Sequence, residues 1–421
     1  MRTVKLQTGV IAIIAVLFSL TAWAGEMNLL HEFSGGGADG ALPLKNVLVY
    51  NDKIYGMTLL GGDLNYGVAY RVNLDGSAFE LIHEFAGQPN DGRDGRNSLI
   101  VSNDVLYSTT WYGGATDKGT VFKMDPDGGN FSLIHSFAGG VDDGLYADSS
   151  VLAISGSTLY GMTAAGGDAD KGTVYKVDAG GTGFALIHEF AGGNDDGRNP
   201  NSSLVLSGTT LYGMTYYGGD ADKGVIFKME TSGGAFSLLH EFAGGVHDGA
   251  NPFNDLVLAG STLYGMTALG GDEDKGIIFK INTDGTDYAV LHEFLGGAED
   301  GATPYGPLTI NGDILYGTTV YGGDSNLGTL FQMGIDGSDF SVLYEFSGGV
   351  DDGSQPRGNV YLHNDVLYGM TTYGGDSDKG TIFGYELGGG GDVPEPSTLL
   401  LLLPLIIIIL RASPLKVRAK C

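Results

Sequence analysis

The sequence predicts an all-β protein, a seven-bladed β-propeller of four-stranded blades, closed by an N-terminal strand that completes the last blade. Three observations carry this expectation. First, a unit of 52 residues (once 53) recurs seven times, with the tyrosine of its LYG-type element at Tyr55, Tyr107, Tyr160, Tyr212, Tyr264, Tyr316 and Tyr368. Second, each unit holds four short runs rich in β-branched and aromatic residues, and four strands in about 50 residues, repeated four to eight times, mark a propeller. Third, one unit is split across the ends. The last unit stops after its third run, Gly380–Tyr385, while a lone MNLLHEF, Met27–Phe33, stands before the first. Pairing the two leaves no incomplete blade.

The fourth unit shows the elements in order. Its runs are Ser203–Ser207, Thr210–Tyr216, Gly224–Met229 and Phe236–Phe242, each bounded by Gly, Asp, Asn or Ser. Ser207-Gly208 and Ser232-Gly233-Gly234 supply residues that tolerate positive φ at the turns. Strict alternation puts Phe236, Leu238 and Phe242 on one face of the fourth run and Leu239 on the other. Apolar residues on both faces suit sheets packed on both sides. In a propeller the first strand lines the axis and the fourth lies outside. The GGDADKG loop (218–224) and the AGGVHDGANP loop (243–252) then share one face, and only short Gly turns occupy the other.

The ends read as signals around the propeller of residues 25–387. Residues 1–24 read as a secretory signal: Arg2 and Lys5, an apolar core Gly9–Leu20, and an A-x-A cleavage site at Ala22-Trp23-Ala24. Residues 388–392, GGGGD, are a flexible linker. Residues 393–421 follow, with VPEPST, the apolar run Leu399–Leu410, Arg411 and a basic tail. That run is shorter than the ~20 residues that span a bilayer, and the basic tail should stay cytoplasmic. Transient membrane contact is the expectation.

Composition narrows the partners. The net charge is −28, and residues 25–396 carry −34, because the segments on either side hold six basic residues and no acids. Such a chain repels nucleic acid and anionic lipid and should stay soluble as a monomer. With 73 Gly, 22 Tyr and 19 Phe, it has too many aromatics for disorder. The sole cysteine is Cys421, so no internal disulfide or Cys-based metal site exists.

Several motifs invite a chemical reading. Asp220, Asp222 and Asp248 offer hard oxygen ligands for Ca²⁺, but the spacing is no EF-hand. Asp220 corresponds to Ala115 in the second unit, and Asp222 to Asn65 and Asn326 elsewhere. Turn-forming Asx chemistry is the favoured reading, so no metal or other cofactor is expected. The repeated His31, His83, His135, His188, His240 and His292 become Tyr344 in the seventh position, which points to a structural role. The adjacent Glu is Ser136 in one unit, which disfavours a paired acid–base device. A ring of near-copies holds no nucleophile elbow, HExxH or phosphate loop, so catalytic residues are not expected. His247, His363 and the stretch Arg93-Asp94-Gly95-Arg96 depart mildly from the pattern.

The residues just before each GG vary most: Leu59-Leu60, Trp111-Tyr112, Ala164-Ala165, Tyr216-Tyr217, Ala268-Leu269, Val320-Tyr321 and Thr372-Tyr373. Aromatic rings at Trp111, Tyr112, Tyr216, Tyr217, Tyr321 and Tyr373 are candidates to stack on sugar rings. The competing reading is packing beneath the neighbouring loop.

Two stretches resemble known families. VPEPST at 393–398, the apolar run and Arg411 resemble a PEP-CTERM sorting signal. That resemblance implies a Gram-negative exported protein, processing by a membrane-bound exosortase at the Pro394-Glu395-Pro396 region, and an association with extracellular polysaccharide. Ten residues follow Arg411, more than the short Arg-rich tail usual in that family. The repeats, through LYGMT, the GG pair, the G-[TVI]-[VIL]-F/Y-K run and LIHEF/LLHEF, resemble the GloVer tandem repeat over residues 28–387. It implies a surface or extracellular address and no particular activity. The expectation is a binding or scaffold module in an extracellular polysaccharide matrix. The alternatives are a polysaccharide hydrolase or lyase with an acidic site on the loop face, and a structural coat protein.

Overall fold

TLYGMT, Thr210–Thr215, becomes the second strand of its sheet by alternating between two apolar neighbours. Leu211 faces the preceding blade and Tyr212 and Met214 face the following one. The strand pairs antiparallel with Val225–Glu230 (Gly213 opposite Phe227) and with Val205–Ser207 (Tyr212 opposite Val205). Ser237–Glu241 is added outside, giving the order first, second, third, fourth. The glycine of LYG has a packing reason: a Cβ on Gly213 would stand 2.7 Å from Cζ of Phe227, whose ring lies across it.

The computed structural model describes residues 25–147 and 152–388, and residues 26–387 form one unit. Ala22, Ala24, Pro394, Glu395, Pro396 and Arg411, with both terminal signals and all but the first residue of the linker, lie outside the described residues. The fold is a seven-bladed propeller: seven antiparallel sheets repeat the same order of strands, and no helix occurs among the described residues. Glu26–Glu32 completes the last sheet on Thr381–Glu386, with Met27 opposite Tyr385 and Leu29 opposite Phe383. The core is a set of seven seams between successive blades. The seam of Val47, Ile54, Tyr70 and Val72 with Phe33, Tyr368, Met370 and Ile382 joins the first blade to the last.

Two expectations about the strands are corrected. Every outermost strand carries a β-bulge. In the fourth blade the register steps from Leu238 opposite Phe227 to His240 opposite Ile226. The extra residue turns the rest of the strand over. Phe236 and Leu238 therefore pack toward the third blade, whereas Leu239 and Phe242 pack together toward the fifth. The first strand is also shorter than expected, Val205–Ser207. The backbone N–H of Ser203 leaves the ladder and donates to Asp255 Oδ1 of the next blade at 2.7 Å.

The loop-rich face carries structure of its own. In six blades a two-residue strand before the first strand pairs with one ending in the GG element, as Gly197-Arg198 does with Tyr217-Gly218. In the third blade Gly144–Ala147 makes the same pairing with a second strand extended to Thr158–Gly166.

Candidate binding face and axis

Backbone geometry makes the GGDADKG turn, and the acids in it serve that turn. Gly218 sits at φ 104°, and a Cβ there would approach the carbonyl oxygen of Asp196 to 2.4 Å. Asp222, at φ 54°, accepts the Gly218 N–H on Oδ1 at 3.0 Å. Asn65 and Asn326 make the same bond with an amide oxygen, which explains why Asn serves there. Asp220 contributes its backbone N–H, which donates to Glu241 Oε2 at 2.9 Å. In the second unit Ala115 N–H donates to Ser136 Oγ instead, so the two departures from the repeat are one substitution of acceptor. Asp248 accepts from His240, from the backbone N–H groups of Ala243 and Gly249, and from the Tyr288 hydroxyl. Burial pushes its carboxyl up, but these bonds outweigh burial and hold it below the ordinary value. The structure does not bring Asp220, Asp222 and Asp248 together as a ligand set. Among the described residues, the trio whose ligand atoms lie within 4.8 Å of one another is His247, Asp272 and Glu293.

The repeated histidines clamp one blade to the next. Each places Nε2 3.0 to 3.2 Å from the carboxylate of the Asp eight residues on. Each also stacks at 3.7 to 3.9 Å on an aromatic ring of the following blade: Phe79, Phe131, Phe184, Phe236, Tyr288 or Phe340. At the seventh position the strand supplying the stacking ring is the N-terminal one, and it carries Met27 there. Tyr344 replaces His at that seam and packs with Met27 and Tyr385. Its hydroxyl is pushed up to about 12, first by burial and then by Asp352.

The six candidate rings fall into three environments. Tyr112 and Tyr217 lie under guanidinium groups, Arg93 at 4.4 Å and Arg198 at 4.2 Å, from the residues opposite them in the two-stranded ladders. Those arginines are fixed by paired contacts to Asp117 and Asp222. Trp111 is held by Tyr146, stacked at 5.2 Å, and Arg96, at 4.5 Å. Tyr216 meets Tyr217 edge-on at 4.6 Å and lies 6.0 Å from Phe253. Tyr321 and Tyr373 differ, because the residues opposite them are small, Ala302 and Ser354. Tyr321 is 38% exposed.

The propeller axis is a further site, and the sequence reading did not single it out. The residues just before each first strand hydrogen-bond from blade to blade. Asn46 N–H donates to Ser98 Oγ at 3.0 Å, and Asn359 N–H donates to Asn46 Oδ1 at 2.9 Å across the closing seam. Side chains also meet across the axis. Lys45 of the first blade lies over the Phe253 ring of the fifth at 4.9 Å. Phe253 in turn packs on Tyr305 at 4.9 Å, and the Arg357 guanidinium lies 5.6 Å from the Tyr305 ring. First and fifth blades are not neighbours in a ring of seven, so this contact crosses the axis. Burial pushes the Asp255 carboxyl up, while the charge of Lys45 and bonds from Ser203 and Asn46 pull it back. The Nζ of Lys45 and Oδ1 of Asn97 and Asn254 are buried and have no hydrogen-bond partner among the described residues. A signal for this site was present in the sequence: Lys45, Asn97, Ser202, Asn254, Gly306 and Gly358 share one repeat position yet differ in character.

A model of the Gloeobacter/Verrucomicrobia repeat matches residues 7–157, 122–309 and 222–393 of the chain. No curated protein sequence matches it. Among solved structures, an oligogalacturonate lyase in complex with manganese is 12% identical, with a TM-score of 0.51 over 87% of this chain and 94% of that one. A puromycin-hydrolysing peptidase from Mycobacterium tuberculosis is 10% identical, with a TM-score of 0.51 over 82% of this chain and 53% of that one. Both likenesses are of fold.

Proposed function

Because the chain belongs to the Gloeobacter/Verrucomicrobia repeat family and its repeats close into a propeller, we propose that it is an exported, non-catalytic binding or scaffold module of an extracellular polysaccharide matrix. On this reading it leaves a Gram-negative cell through the N-terminal signal. An exosortase-type enzyme then processes the VPEPST segment, so the chain ends at the cell surface or outside. The observation that carries the binding role is the pair Tyr321 and Tyr373. They occupy the same position in adjacent blades, on two-stranded ladders, with small residues opposite them. Rings held in this way offer an apolar face to sugar C–H groups and a hydroxyl to their oxygens. A binding role is favoured over catalysis because the recurring His and Asp side chains are spent on contacts between and within blades.

The test is retention of the full chain in gels containing the organism's own matrix polysaccharide. Two stacking rings at about 1 kcal/mol each correspond to roughly a thirtyfold loss of affinity in Tyr321→Ala/Tyr373→Ala. Trp111→Ala should change retention little, because that ring is already covered on the protein. Undiminished retention of the folded double variant would remove the ring-stacking proposal. Release of new reducing or unsaturated ends would replace it with the enzymatic alternative.

A further inference from the structure

His247 breaks the repeat in side chain and backbone together. At its position the other units carry Ala38, Asn90, Asp142, Asp195, Glu299 and Asp351. Of these seven residues it alone has a left-handed backbone, at φ 64°. Such an outlier asks for a reason, because the sister loops make the same connection without it. The His247 ring reaches the fifth blade, where Nδ1 stands 2.7 Å from Oε1 of Glu293, at the end of the outermost strand Ala289–Glu293. Asp272, in the GGDEDKG loop (270–276) of the same blade, completes a trio whose ligand atoms all lie within 4.8 Å of one another. Its backbone N–H donates to Oε2 of Glu293 at 2.9 Å, which holds the carboxylate with Oε1 toward the imidazole. The trio is open to solvent. The His247 side chain is 76% exposed, and an open hollow lies between it and the strand Ala289–Glu293.

The sister sites supply the comparison. Asp195, Asp220 and Glu241 put three carboxylates in the same places, as do Glu299, Asp324 and Glu345. Among the described residues, neither set draws together to that distance. Three like charges repel, whereas an imidazole removes one charge and adds a nitrogen donor. Nitrogen with two carboxylates suits Zn²⁺ and its transition-metal neighbours, while Ca²⁺ takes oxygen alone. Three protein ligands and one open position are a zinc arrangement. Tetrahedral bonds of ~2.0–2.1 Å set ligand atoms about 3.3 Å apart. That spacing falls between the 2.7 Å of the His247–Glu293 contact and the 4.8 Å limit of the trio. We propose that His247, Asp272 and Glu293 bind a divalent cation of the zinc class, which ties the 243–252 loop to the fifth blade. The metal replaces the proton shared by Nδ1 and Oε1, so the imidazole binds in its neutral form. The hollow leaves room for water or a ligand oxygen as the fourth donor. This site goes beyond the polysaccharide reading and does not depend on the rim tyrosines.

The test titrates the full chain, stripped with EDTA, with ZnCl₂ to about 1 mM by calorimetry. Cys421 and the other histidines are common to every variant, so the site is read as a difference from wild type. His247→Asn keeps a side chain that tolerates positive φ, and Asn90 already fills this position in another unit. Glu293→Gln keeps an oxygen for the Asp272 N–H. Both variants should melt with the wild type when metal-free. The wild type should take up one Zn²⁺ per chain that each variant binds at least about tenfold more weakly, since a lost ligand costs no less than a lost outer-shell partner. Equimolar Ca²⁺ should leave that uptake unchanged. Identical isotherms for wild type and both variants overturn the proposal. Weakening in only one variant overturns it too, because the donors act as a set. So does displacement by equimolar Ca²⁺, which would make this an oxygen site. The rim proposal fails separately, on retention that survives Tyr321→Ala/Tyr373→Ala.

Discussion

Asp274 holds its turn through a single oxygen, and that decides what can replace it. Its Oδ1 accepts the Gly270 N–H at 2.8 Å while its backbone sits at φ 53°. Asn offers the same acceptor and tolerates that conformation. Asp274→Asn should therefore change stability by less than about 0.5 kcal/mol, whereas Asp274→Ala should lose about 1–2 kcal/mol, read from denaturant midpoints. The other acids make the same point about pH. Burial pushes Asp39 and Asp248 up, but hydrogen bonds carry both below the ordinary value. Asp117 and Asp222 are lowered first by Arg93 and Arg198. A carboxyl lowered in the folded state contributes stability above its unfolded pKa and loses it as pH falls through the folded value. The melting temperature should hold down to about pH 4 and fall below it. Asp94 and Asp255 act in the opposite sense, because burial raises both and acid relieves them. Continued stability at pH 3 would mean that these two outweigh the four.

The two-stranded ladders are the element that gives the loop face its shape. Their close approach depends on glycine at one position. A Cβ on Gly249 would stand 2.5 Å from Cγ2 of Thr267. Gly249→Ala should cost about 1–3 kcal/mol by overpacking and lower the melting temperature. Gly180, which has nothing within 4 Å of its Cβ position, is the control, and Gly180→Ala should be neutral or slightly stabilising. The four strands per blade were legible in the sequence because β-branched runs and Gly turns report local geometry. The bulge and the ladders were not. A bulge at Leu239 leaves no mark in composition, and Gly197-Arg198 is too short to show any periodicity. The acids of the turn loops were legible through the substitutions at Asn65, Asn326 and Ala115. The arginine covers on Tyr112 and Tyr217 required knowing which residues face each other across a ladder.

At the scale of the whole molecule, closure is the property that the split repeat foretold. The residues that meet across the axis lie hundreds of positions apart, as Lys45 and Phe253 do, and no local pattern announces them. Deleting Glu26–Glu32 strips the outermost strand from the last blade and the seam residues beside it. The variant should melt lower and self-associate, because Thr381–Glu386 becomes an unpaired edge. A monomer with an unchanged melting temperature would argue against closure by this strand. The same pairing has a mechanical side. The chain leaves the propeller from Thr381–Glu386, which is hydrogen-bonded on both flanks, to Glu26–Glu32 and to Val366–Thr371. A pull on Leu387 therefore loads two ladders along their length at once, and they must shear together rather than unzip one bond at a time. Under a load applied at Leu387, the blade that closes the ring is also the one that bears it.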